Sequence, residues 1–144
     1  MNRSDTHETT GFLHAQIGGE RWEASSVVLY LHTRNLTVGG PKGGAMEKGL
    51  YFDFPRGIRP GQYKITPTSS VEAWFNPGKN APSWVAYEGV VTVASVSEDE
   101  PSITLSCDYI ATNPLNPSEH KKITGTAQFK GASTETSKNH KIQS

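Results

Sequence analysis

The sequence predicts an all-β fold of antiparallel strands, packed as a sandwich or squat barrel, and three observations carry that prediction. Along Ser102 to Ile110, residues Ile103, Leu105, Cys107 and Tyr109 fall on one side and Ser102, Thr104, Ser106 and Asp108 on the other. Lys122 to Lys130 repeats the pattern, with Ile123, Gly125, Ala127 and Phe129 opposing Thr124, Thr126, Gln128 and Lys130. This two-residue period marks a sheet with one wet face. Secondly, no stretch long enough for a helix carries apolar residues at helical spacing, apart from a possible turn at Ala45 to Lys48. Thirdly, about nine or ten short apolar runs recur at intervals of roughly 8–12 residues, punctuated by Gly, Pro and Asn clusters, and connections this short favour antiparallel pairing.

The elements follow in order. Gly11 to Ile17 reads as a strand that Gly18-Gly19 turns into a second around Glu20 to Ala24, with Trp22 at its centre. Val27 to His32 follows, and Asn35 to Val38 continues or pairs with it. Gly39 to Gly49 reads as a flexible connection. Leu50, Phe52 and Phe54 alternate with Tyr51 and Asp53, and Tyr63 and Ile65 alternate with Gln62 and Lys64 after Pro60-Gly61. Val71 to Phe75 and Trp84 to Tyr87 flank Asn76 to Ser83, whose prolines and glycine exclude a helix. Gly89 to Val96 is a Val-rich strand, Ser97 to Pro101 an acidic turn, and Asn113 to Pro117 joins the two alternating strands. Residues 1–10 and 132–144 lack apolar period and read as disordered tails around one domain at 11–131.

At 144 residues the chain is long enough to bury a core without a metal or disulfide. Its 14 basic and 14 acidic residues cancel, so no global field favours nucleic acid or an anionic membrane. Cys107 is the single cysteine, which excludes an internal disulfide, and its place on an apolar strand face makes it a core residue. Met1 to Thr10 has no apolar signal segment, which makes the cytoplasm the default location.

The order Ile17-Gly18-Gly19 with Trp22 and Ala24, then Gly61-Gln62-Tyr63-Lys64-Ile65, then Glu88 to Val93, then Ile123-Thr124-Gly125-Thr126-Ala127-Gln128-Phe129 resembles a group of small bacterial β-sandwich domains. In that group G-x-x-W-x-A, G-x-Y-x-I and I-x-G-T-F-x-F strands recur. The resemblance covers about residues 11 to 131 and implies a β-sandwich. Most members are of unknown function, many are lipoproteins or exported, and none supplies catalytic residues to carry over. This chain departs from the pattern with Ala127 where Phe is commoner and with no lipoprotein cysteine near its start.

No catalytic or ligand motif is as clear as the strand pattern. Gly39 to Gly44 with Lys42 lacks the closing Gly-Lys-Ser/Thr of a phosphate loop. Among the five histidines, His7 and His140 lie in the tails and no two of His14, His32 and His120 share close strand spacing, so no metal is expected. Asp53, Glu72, Glu88 and Asp108 lie on or beside strands, but Asp53 and Asp108 alternate onto the wet face, where carboxylates do little acid–base work. A small hydrolase with an unrecognised carboxylate site is one alternative, and a structural or self-associating β module another.

The preferred reading is a non-catalytic module that binds a protein or glycan without a cofactor. Its site is the aromatic segment around the proline loop: Trp74, Phe75, Asn76, Lys79, Trp84 and Tyr87. With Val71, Ala73 and Phe75 facing the core, Trp74 points outward, and an indole offers a flat apolar face with one donor.

Overall fold

The computed structural model describes residues 8–42, 48–78 and 81–133. Within them the chain is all-β, with ten strands and antiparallel pairing throughout. They are β1 (Thr10–Ile17), β2 (Glu20–Glu23), β3 (Val28–Leu31), β4 (Asn35–Pro41), β5 (Gly49–Pro55), β6 (Gly61–Ile65), β7 (Glu72–Asn76), β8 (Trp84–Ser97), β9 (Ser102–Asn113) and β10 (Asn116–Lys130). One sheet runs β2-β1-β10-β9-β8-β7-β5-β4-β3, and β6 attaches separately to β8.

The sheet curls around a single core without closing into a barrel. Leu13 and Ile17 from β1, Leu36 and Val38 from β4, Leu50, Phe52 and Phe54 from β5, Val91 and Val93 from β8, and Phe129 from β10 are all buried in it. The segment after β10 reaches across to β3 at one edge of the sheet. There the Ser133 N–H donates to the Leu29 carbonyl at 2.8 Å, and the Leu29 N–H donates to Ser133 Oγ at 3.3 Å. Thr9 is buried and hydrogen bonds to the Gly131 carbonyl. Thus Thr9, Thr10, Ala132 and Ser133, which the sequence assigns to loose ends, are tied to the sheet.

The alternation of β9 and β10 holds as expected: Ile103, Leu105, Cys107 and Tyr109 are buried, as are Ile123, Ala127 and Phe129. Their register sets Cys107 opposite Gly125 and Asp108 opposite Thr124. Both strands run further than the sequence suggests, meeting at a tight turn over Pro114-Leu115. The two expected strands Trp84 to Tyr87 and Gly89 to Val96 are one strand, β8, whose register slips between Ala86 and Glu88. Gly89 sits where β8 crosses β9 so closely that a side chain there would collide with the Asp108 carbonyl and Tyr109 Cβ.

Gly39 and Gly40 are buried strand residues rather than a flexible connection. Gly39 takes φ 154° directly opposite Tyr51, and an added Cβ would meet the Leu50 carbonyl and the Tyr51 ring. Glycine inside a strand here marks a close approach, not a loop. Gly43 and Gly44, and residues 45–47 of the expected helical turn, lie outside the described residues.

Candidate functional site

The register between β7 and β8 decides which aromatic residues reach the surface. Trp74 pairs with Val85 and Phe75 with Trp84, and after these two pairs β7 leaves β8. Further along, β6 takes over the same edge of β8, with Ile65 opposite Gly89. Between the departing β7 and the arriving β6 the sheet forks. A cavity of about 370 Å³ opens in the fork, lined by Thr66, Pro67, Glu72, Ala73, Trp74, Ser83, Val85 and Ala86.

Because successive residues of a strand face opposite ways, Phe75 and Trp84 are both turned into the core. Phe75 is fully buried and Trp84 nearly so, and their rings meet edge-on with centroids 6.2 Å apart. Lys121 Nζ stands 5.5 Å from the Trp84 ring and covers its outer margin. Neither aromatic lines the cavity. Trp74 does, half-buried on the outer face as its alternation requires. Its ring stacks on Tyr51 with centroids 5.7 Å apart and planes 20° apart. Tyr51 in turn lies over Gly39, where the missing side chain leaves room for the ring. Burial, and secondarily the neighbouring Tyr30, hold the Tyr51 phenol above its ordinary pKa.

The other expected residues spread out. Asn76 accepts a hydrogen bond from the Ser83 hydroxyl, which pins the two ends of the proline loop together. Tyr87 sits in the β8 irregularity, 52% exposed and tilted against His120 at 6.0 Å, away from the cavity lining. Lys79 lies outside the described residues. Of the expected residues Trp74 alone lines the cavity, beside Thr66, Glu72, Ser83 and Val85, with Tyr51 stacked on its ring. The outward alternation of Tyr51 is legible in the sequence, but its place beside Trp74 depends on β5 pairing with β7 across the intervening β6 segment.

The electrostatics of the region are one-sided. Register places Asp53 of β5 directly opposite Glu72 of β7 on the outer face. Asp53 accepts hydrogen bonds from Asn35 Nδ2 at 2.6 Å and Thr37 Oγ1 at 2.7 Å. Glu72 is exposed at the rim of the cavity.

Elsewhere the chemistry is quiet. His14, His32 and His120 are exposed and separate, and among the described residues no three His, Cys, Asp or Glu side chains converge as a metal site would require. Cys107 is buried, and burial, then the Asp108 carboxylate, push its thiol up to about 12, against a smaller opposing contribution from the Gly125 backbone N–H. A nucleophilic cysteine needs the opposite shift. Among the described residues no helix is long and apolar enough to cross a membrane. No family model matches the chain, and neither any curated protein nor any solved structure gives a match.

Proposed function

We propose that the chain is a non-catalytic recognition module that binds a glycan at the Trp74 cavity. The observation that carries this reading is the Trp74 indole, backed by Tyr51 and open along one side to a concave space. An indole braced in this way presents a flat apolar surface to the C–H face of a sugar ring without first having to be ordered. The Thr66 and Ser83 hydroxyls and the Glu72 carboxylate around it suit the sugar's own hydroxyl groups.

Size favours a glycan over a protein partner. A cavity of about 370 Å³ is near the small end of ligand sites, whereas a stable protein interface covers roughly 800 Å² on each partner.

The test is a glycan array followed by calorimetric titration of any hit against the native chain and Trp74→Ala. Loss of one stacked aromatic should weaken binding by about tenfold, with the far-UV spectrum unchanged. A hit whose affinity is the same in both proteins removes the proposal, as does an array with no hit.

A further inference from the structure

We infer that the glycan taken at the Trp74 cavity is a neutral linear oligosaccharide, and that Tyr87 is a second platform on which a sugar further along that chain stacks; this rests on the glycan reading above. The register lines the two aromatics up on one face. Trp74 of β7 stands opposite Val85 of β8, Val85 opposite Thr112 of β9, and Thr112 opposite His120 of β10. Tyr87 follows Val85 by two residues on β8 and so emerges on the same side, at the point where the register slips and leaves it without a partner on β9. An irregularity of this kind re-aims the side chain it carries. Here the Tyr87 ring leans across β9 to His120, with centroids 6.0 Å and planes 39° apart.

Exposure and bracing both point to a ligand. Val85 and Tyr87 are 43% and 52% exposed, two of the four large apolar side chains that stay in water among the described residues. They extend the Trp74 cavity, which Val85 itself lines. Each platform also has its own support: Trp74 rests on Tyr51, and Tyr87 on His120, whose Nδ1 hydrogen bonds with Thr112 Oγ1 at 3.4 Å. The contacts of Phe12 with His14 and of Tyr30 with His32 join residues two apart in sequence, which strand alternation brings together anyway. Tyr87 and His120 meet from two different strands.

The spacing then sets the kind of ligand. Trp74 and His120 stand three strand spacings apart, about 14 Å, so one sugar ring cannot touch both platforms and a chain of several can. One chain that reaches both makes its second contact intramolecular, and affinity gains accordingly. The row from Trp74 through Val85 and Thr112 contains no Lys, Arg, Asp or Glu, which suits a neutral chain held by stacking rather than by ion pairs.

The experiment is calorimetric titration of the full chain with three ladders of neutral oligosaccharides, one to six units long, built on β-1,4-linked glucose, mannose or N-acetylglucosamine. Affinity for at least one ladder should climb with length beyond the disaccharide and then level off. Tyr87→Ala should weaken the longest member about tenfold and flatten the climb, Tyr87→Trp should restore it, and Trp74→Ala should weaken every length that binds. A ladder whose affinity stops rising at the disaccharide, or a Tyr87→Ala chain with full affinity for the longest member, overturns this inference while leaving the Trp74 glycan reading in place. Failure of all three ladders overturns it as well, and on a chain whose array also shows no hit overturns the glycan reading with it. A chain that dimerises on its own in sedimentation, through a contact that Tyr87→Ala removes, gives Tyr87 to a second copy and overturns its assignment to a sugar.

Discussion

Alkaline pH should expose how thoroughly Cys107 is enclosed. Its thiol ionises at about 12 in the folded chain against an ordinary 9.0, chiefly because burial disfavours the thiolate. Across that window the folded chain holds its proton more tightly than the unfolded chain does. Stability from this group is therefore intact below pH 9 and falls as the pH rises toward 12. At 1.36 kcal/mol for each pH unit, the loss reaches about 1.4 kcal/mol at pH 10 and about 4 kcal/mol at pH 12. The assay is urea unfolding of the native chain and of Cys107→Ala at pH 8 and at pH 10. Burial, and secondarily Cys107, also raise the Tyr109 phenol, but both proteins carry that phenol, so its burial contribution cancels in the difference. The native chain should lose about 1.4 kcal/mol more than the variant between the two pH values. Parallel losses would refute the reasoning. In the same way, the native thiol should react with a disulfide reagent far more slowly than the unfolded one, because burial both raises its pKa and blocks access.

Two further substitutions probe the core. The Tyr109 hydroxyl is buried and finds no hydrogen-bond partner among the described residues, and an unpaired buried hydroxyl costs about 1–3 kcal/mol. Tyr109→Phe should therefore leave stability unchanged or raise it, and a thermal melt showing a clear loss would mean that the hydroxyl has a partner. Phe52 is fully buried at the centre of β5, and truncating such a ring typically costs about 3–5 kcal/mol. Phe52→Ala should lower the urea midpoint accordingly, and a cost under about 1 kcal/mol would place the ring outside the core.

Much of the fold was legible because burial and strand period agree. Ile103, Leu105 and Cys107 alternate with Ser102, Thr104 and Ser106, and each set lies on the side its polarity requires. The outward turn of Trp74 followed by the same logic from buried Ala73 and Phe75. What local pattern could not supply was register. Trp84 looks like a companion of Trp74 in the sequence, but pairing sets Val85 opposite Trp74 and turns Trp84 inward against Phe75. The true companion, Tyr51, comes from a strand more than twenty residues earlier, and its ring needs the bare backbone of Gly39 beneath it. Composition alone assigns Gly39 and Gly40 to a loop, because it does not distinguish a turn from a close approach inside a strand. The fork that opens the cavity is likewise non-local, made by β7 and β6 sharing one edge of β8.

The most direct test of the central claim is a nitrogen–proton correlation spectrum recorded while a glycan hit is titrated into the labelled chain. The three tryptophans give three indole N–H signals: Trp22 and Trp84 are buried, and Trp74 lines the cavity. Binding at the cavity predicts that the Trp74 indole and the amides of Val85 and Ala86 shift together while the Trp22 indole stays still. Shifts confined to other parts of the sheet, with Trp74 unmoved, would contradict the account.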